Sequence, residues 1–175
     1  MDVALHELHV GQADTLAQLY RENRSHLQKW EPARDDAFLE PDHQRKLLAE
    51  AQRLREEGRR WAALIHEGDE YVGFLALNHI VRGALQSCQL GYWVAERHCG
   101  RGIASGAVAL GLDVAFGMLG LHRVEASVRT DNPGSVRVLQ KNGFRRIGLA
   151  LSHVFLDSSW HDQWLYERHE PGIAQ

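Results

Sequence analysis

The stretch Arg97-His98-Cys99-Gly100-Arg101-Gly102-Ile103-Ala104 constrains this chain more than any other. A β-rich run, residues 89–95, leads into it, and a helix-period run, residues 103–119, leads out. Two glycines at a strand-to-helix turn leave backbone N–H groups bare beside the positive end of a helix. That arrangement suits a phosphate or pyrophosphate. A dinucleotide fingerprint G-x-G-x-x-G fails here, because Ser105 stands where its last glycine belongs and the next glycine is Gly106. The G-x-x-x-x-G-K-[ST] phosphate loop is absent. On the turn alone two readings stay open: glycines that only let the helix pack closely, and a loop that grips a diphosphate.

The flanking pattern predicts a strand at residues 3–9 and a helix at 13–27 with Leu16, Leu19, Tyr20, Asn23 and Leu27 on one face. Trp30-Glu31-Pro32 breaks it. A second helix runs to about residue 57, with Asp42 as its N-cap, Leu47, Leu48, Ala51 and Leu54 as its apolar stripe, and Gly58 as its stop. Its charged residues read as a solvated face. Three strands follow at 61–66, 71–81 and 87–94, the first two joined at Gly68-Asp69. The helix after the glycine turn places Ile103, Ala107, Leu110, Val114 and Met118 on one face and closes at Gly120. A strand at 122–128 comes next, then a short helix capped by Asn132 with Pro133 at its first position. That helix ends at Gly143, and strands at 144–155 and 160–166 finish the pattern. Tight β-turns give an antiparallel part, and the strand–helix–strand unit 91–128 gives a parallel one. The expected fold is a mixed α/β (α+β) one: a mostly antiparallel sheet of about seven strands flanked by about four helices.

A chain of 175 residues supports one domain, residues 1–175. No run of apolar residues reaches the roughly 18 needed to span a bilayer, and the first residues lack the basic and apolar regions of a secretory signal. The formal net charge of -3 argues against nucleic-acid backbone binding. Cys88 and Cys99 flank an extended run and lie too far apart to bridge, which points to a reducing cytoplasm. His6 and His9 fall on opposite faces of a strand, and no histidine has a zinc spacing, so no metal is expected.

The wider pattern is specific. Arg97-x-x-Gly100-x-Gly102 matches the R/Q-x-x-G-x-G/A signature of the GNAT acetyltransferase superfamily. Leu90-Gly91-Tyr92-Trp93-Val94 resembles the "GYW" strand of its ribosomal-protein N-acetyltransferases. Asn132-x-x-Ser135 followed by Leu139-Gln140-Lys141-Asn142-Gly143-Phe144 resembles that family's N-x-x-S…L-x-K-x-G-F block. Trp30, His161-Asp162 and Tyr166 are weaker matches. The resemblance covers nearly the whole chain. It implies a GNAT fold and acetyl-CoA (coenzyme A) as cofactor. Trp93, Val94, Arg97, His98, Gly100, Arg101, Gly102, Ile103, Ala104 and Asn132 would bind that cofactor. The thioester would lie in a gap between residues 91–95 and 125–128, polarised by an N–H near Trp93 or Val94. Ser135 would reach the sulfur as donor or acid; the plainer reading is a helix-start hydroxyl bonding the local backbone. The implied partners are a protein N-terminus or a small amine, with no nucleic acid and no membrane; a homodimer is compatible with the resemblance. A non-catalytic acyl-CoA-binding module is the rival from another class.

One departure bears on the chemistry. Many relatives carry a glutamate two residues before the "GYW" glycine, where this chain has Gln89. An amide cannot take a proton. Proton removal then runs through water to solvent, or through His79 on the neighbouring strand. A protein α-amine, pKa about 7.7–8.0, is roughly 10–15% neutral at pH 7, against well under ~0.1% for lysine near ~10.4. That difference is on the order of 3.5 kcal/mol. It favours an α-amine acceptor, by direct attack without an acetyl-cysteine intermediate.

Overall fold

The computed structural model describes residues 2–170 and Gly172. Seven strands form one sheet in the order β1-β2-β3-β4-β5-β7-β6. They are β1 (Val3–Glu7), β2 (Trp61–Glu67), β3 (Glu70–Val81), β4 (Ser87–Val94), β5 (Arg123–Arg129), β6 (Arg145–Leu156) and β7 (Ser159–His169). The helices are α1 (Ala13–Leu27), α2 (Pro41–Glu56), α3 (Ile103–Asp113) and α4 (Pro133–Lys141). Every neighbouring pair of strands is antiparallel except β4 and β5, which are parallel. The expected mixed, mostly antiparallel architecture is the one observed.

Strand alternation divides the core. Leu75, Leu77, Leu90, Val94, Val124, Ala126 and Val128 point to one face, with Ile103, Ala107 and Val108 of α3. Ala62, Leu64, Ala76 and Trp93 point to the other, with Leu16, Leu19, Tyr20 and Leu27 of α1 and Leu48 of α2. The predicted face of α1 is buried in full, since each of its five residues packs inward. Removing such surfaces from water, at about 25 cal/mol per Å², holds helices to sheet.

Three local expectations need correction. α2 begins at Pro41 with Glu40 as N-cap, not at Asp42. Proline's fixed φ and missing N–H suit the first helical position, so Asp42 falls in the first turn, where it pairs with Arg45 at 2.5 Å. The stripe of α2 also differs: Leu47 is 40% exposed, whereas Gln44 is 1% exposed and donates to the Phe38 carbonyl. The helix after the glycine turn ends as a π turn, Val114–Met118, with Leu119 N–H bonded to Val114 O. The wider turn rotates the chain, so Met118 is 68% exposed and the buried face is Ile103, Ala107, Val108, Leu112 and Ala115.

Gly73 decides how closely β3 approaches β4. A Cβ there would stand 2.3 Å from the Trp93 carbonyl oxygen and 3.1 Å from Val94 Cα. Both are backbone atoms and neither yields cheaply. Gly73→Ala is expected to destabilise the protein by about 1–3 kcal/mol, lowering Tm by about 2–4 °C for each kcal/mol. It should also cut turnover by shifting β4. An unchanged thermal melt would show that the sheet absorbs the methyl group.

Candidate active site

β4 and β5 pair over only three positions, Ser87↔Arg123, Cys88↔Val124 and Gln89↔Glu125. Beyond Gln89 they part. Each is held away from the other by its second neighbour: β3 pairs with β4 up to Gly73↔Val94, and β7 with β5 up to Arg129↔Gln163. The separation opens a cleft of about 700 Å³. Its walls are residues 90–94 of β4, residues 126–129 of β5, the glycine turn with the start of α3, and α4. His26, Leu27, Trp30 and Glu31, at the end of α1 and just after it, close one side.

The glycine turn is built from short-range bonds. His98 N–H bonds Ala95 O at 2.8 Å, and Cys99 N–H bonds Glu96 O at 3.1 Å. Gly100 (φ 78°) and Gly102 (φ 85°) then take left-handed conformations, which cost an L side chain roughly 1–2 kcal/mol. Gly102 is the N-cap of α3 and carries no side-chain cap. The opening amides of that helix have no intrahelical acceptor. Gly100, Gly102, Ile103 and Ala104 all line the cleft, and nothing lies within 4 Å of a Cβ built at Gly100. An open cradle of amides at a helix start fits the diphosphate of coenzyme A. Arg137 and Lys141, one helical turn apart on α4, add positive charge to the same cleft.

The structure brings most of the sequence-derived site residues together. Trp93, Val94, His98, Gly100, Gly102, Ile103, Ala104, Asn132 and Ser135 line the cleft. The side chains of Arg97 and Arg101 turn elsewhere. Arg97 donates to Glu70 at 3.3 Å, and Arg101 donates to Glu67 at 3.1 Å. Buried His98 lies between them, with Nδ1 3.1 Å from Glu67 Oε2. The three brace the turn against the β2–β3 hairpin.

Asn132 caps α4, its Oδ1 accepting the Ser135 N–H at 3.0 Å. The Ser135 hydroxyl does not bond the local backbone. It lies 2.7 Å from the Tyr92 hydroxyl. Burial pushes the Tyr92 phenol up to about 12, an effect that its bond to Ser135 partly offsets. The phenol therefore keeps its proton at neutral pH. Sequence reasoning passed over Tyr92 as a functional group, because its partner lies 43 residues away. Arg137 and Lys141 did carry a signal, two basic residues four apart after the Asn132 cap.

Other side chains are less suited to chemistry. Gln89 Oε1 meets His79 Nδ1 at 3.0 Å, but neither residue lines the cleft. Both cysteines are free. Burial drives the Cys88 thiol up to about 12, and burial with the charge of Glu96 also raises Cys99. Neither is a ready nucleophile. Among the described residues no group of three or more His, Cys, Asp or Glu is placed to hold a metal. No helix among them is long and apolar enough to cross a membrane.

Residues 3–145 match the acetyltransferase (GNAT) domain family. The chain is 38% identical over 157 residues to the probable N-acetyltransferase YjcK of Bacillus subtilis (strain 168), covering 89% of this chain and 87% of that protein. It is 28% identical over 160 residues to the [ribosomal protein uS5]-alanine N-acetyltransferase of Escherichia coli (strain K12), covering 90% and 82%. The structure of Mycobacterium smegmatis RimJ in complex with CoA-disulfide superposes with a TM-score of 0.93 at 32% identity, covering 99% of this chain and 84% of that one. Matches of this extent and identity, on a chain whose parted strands meet a glycine-rich helix start, make the protein a member of the GNAT family and an acetyl-CoA-dependent N-acetyltransferase.

Proposed function

We propose that this enzyme acetylates the α-amino group of a protein N-terminus, of the ribosomal-protein type. One observation carries the reading. Among the described residues the carboxylates lining the cleft are Glu31 and Asp131, and Asp131 is held by Arg129 through bonds of 2.9 and 2.6 Å. Arg129, Arg137 and Lys141 outnumber them. A site for a polyamine needs surplus negative charge, whereas a peptide terminus presents one ammonium and a neutral backbone. The uS5-alanine acetyltransferase relative supports the same acceptor.

The chemistry expected of this chain's residues is simple. Acetyl-CoA supplies the activated acetyl group. The amides at residues 100–104 hold its diphosphate, and the unpaired edge of β4 beyond Gln89 aligns its arm as an added strand would. The Ala95 N–H bonds Val72 O of β3 at 2.8 Å, so by alternation the Val94 N–H points to the cleft side, where it would polarise the thioester carbonyl. The Tyr92 hydroxyl lies 2.7 Å from Ser135 Oγ and also reaches the Ser135 carbonyl at 3.4 Å, so with the phenol as donor the Ser135 hydroxyl keeps its own proton to give to the departing sulfur. Attack is direct, with both substrates bound. We place residues 1–175 in one catalytic unit acting in the cytoplasm.

Peptides beginning with alanine or serine and spermidine should be compared as acceptors, following thiol release from acetyl-CoA. The peptides are expected to turn over with the higher kcat/KM. No thiol release with any peptide, at enzyme saturated with cofactor, would overturn the acceptor assignment.

A further inference from the structure

We infer that Glu31 is the catalytic base, its carboxylate taking the proton from the acceptor's ammonium inside the cleft. The inference builds on the α-amine reading above, which sets only the size of the expected effect.

Glu31 Oε2 is buried and has no hydrogen-bond partner. A buried carboxylate oxygen left unpaired is costly, and the local fold makes no use of it. The loop after α1 is held by its backbone instead. The N–H groups of Trp30 and Glu31 both bond Leu27 O, at 2.8 and 2.9 Å. Arg129 of β5 donates to Lys29 O at 3.0 Å and covers the Trp30 ring at 5.5 Å. Glu31 is thus fixed by backbone contacts where the cleft meets a small pocket lined by Tyr20 and Arg34, with Oε2 buried and unbonded, so Oε1 is the oxygen offered to the acceptor. Other buried, unpartnered polar atoms belong to Arg34, Gln44, Arg60, Trp93 and Arg123. Of these Trp93 lines the cleft, but its indole N–H is directed to the Tyr20 hydroxyl and takes no proton.

The other proton acceptors in the cleft are bonded elsewhere or set toward its glycine-turn end. Asp131 is held in the ionised form, its pKa lowered first by hydrogen bonds from Arg129. His98 is tied to Glu67 and bonded by Arg97. His26 lies against Glu96 and Cys99, both at 3.8 Å, at the glycine-turn end. Burial raises the pKa of Glu31 above the ordinary carboxylate range, and Arg34 opposes this in part. The groups that bear on it are Tyr20 of α1, Arg34 of its own loop, and Arg60, which acts on Tyr20 from the start of β2. Arg129 on Trp30 and His26 within the cleft complete the set. A carboxylate raised toward the pKa of an amine is the better base for it.

The step balances without an added reagent. The ammonium gives one proton to a Glu31 oxygen. The freed nitrogen pair forms the C–N bond to the thioester carbonyl carbon, and the C–S bond breaks with its electron pair on sulfur. The second nitrogen proton passes through the Ser135–Tyr92 hydroxyls to that sulfur. Glu31 then returns its proton to solvent.

The test is the pH profile of kcat/KM for an alanine-starting peptide amide, with wild type, Glu31→Gln and Glu31→Asp. In wild type the acid limb should lie below the amine's own pKa, because the bound ammonium is deprotonated in place. In Glu31→Gln only free neutral amine reacts, so the limb should move up to about 7.7–8.0. The deficit should be about tenfold at pH 7 and shrink above pH ~8, following the neutral fraction of the amine. Glu31→Asp should keep the wild-type limb at a reduced rate. Affinity for coenzyme A and the thermal melt should not fall in Glu31→Gln. An unmoved limb, or an equal loss at every pH, overturns the inference. A wild type that turns over spermidine but no peptide refutes the acceptor assignment alone. The same comparison on spermidine then tests Glu31, with the variant's limb moving toward that of an alkylamine near ~10.4. Independently of turnover, the carboxyl ¹³C titration of labelled Glu31 should shift to lower pH when the alanine peptide binds, and an unperturbed titration overturns the inference.

Discussion

Replacing Gly102 with valine is expected to raise the Kd for coenzyme A about 100-fold. Gly102 has φ 85° and immediately precedes α3. A β-branched residue resists that conformation. In the free variant the turn relaxes toward negative φ and turns its amides out of the cradle. Binding must then restore the strained conformation, at about 1–3 kcal/mol. The branched side chain also crowds the phosphate. Every 1.4 kcal/mol is about tenfold in Kd, so the two effects together reach about two orders of magnitude. Isothermal calorimetry with coenzyme A measures it, and a thermal melt separates lost binding from lost fold. The turn is exposed at Gly100 and Arg101, so the melt should change little. Unaltered affinity would remove the diphosphate from this loop, and with it the placement of the sulfur between β4 and β5.

Ser135→Ala and Tyr92→Phe are each expected to lower kcat by about 100-fold or more, the range of a lost general acid. Their effect on coenzyme A affinity should stay below about threefold. The two hydroxyls lie 2.7 Å apart, so they act as a unit, and the double variant should lose little more than either single one. The Asn132 cap bonds the Ser135 backbone N–H rather than its side chain. Alanine at 135 therefore leaves α4 intact. The phenol, pushed up to about 12 by burial, stays protonated through the neutral range. As a group with a raised pKa whose neutral form donates, it should impose no alkaline fall in kcat below about pH 10. An equal loss in kcat and in cofactor affinity would make Ser135 a binding residue. Additive losses in the double variant would show that the hydroxyls act separately.

Features governed by neighbours in the chain were legible. The helix α1 and its five inward residues follow from a 3.6-residue repeat. The Asn132 cap with Pro133 after it, and the glycine stops at Gly58, Gly120 and Gly143, are single-turn geometry. Misreadings arose where two local signals compete or a longer range decides. Asp42 is a good N-cap in isolation, but Pro41 claims the first helical position. The regular repeat of residues 103–119 conceals a π turn, because the Leu119 N–H reaches Val114 O and Leu121 N–H reaches Ala115 O as the chain leaves for β5. Glu31 looked like part of a helix break, since nothing in Trp30-Glu31-Pro32 tells that Arg129, 100 residues past Lys29, pins that loop over a cleft.

The amino-acid order alone determined the strand and helix succession, the position of the glycine turn before α3, and the family to which both belong. Each depends on bonds closed within about one helical turn or one hairpin, where residue type sets the backbone. The tertiary structure decided that β4 and β5 part directly after Gln89, that Tyr92 meets Ser135, and that Glu31, with one carboxylate oxygen buried and unbonded, sits on the cleft wall. Those outcomes follow from sheet register, in which β3 and β7 compete for the strands' outer edges. Register is a balance over the whole sheet, so it is written in no single stretch of the chain.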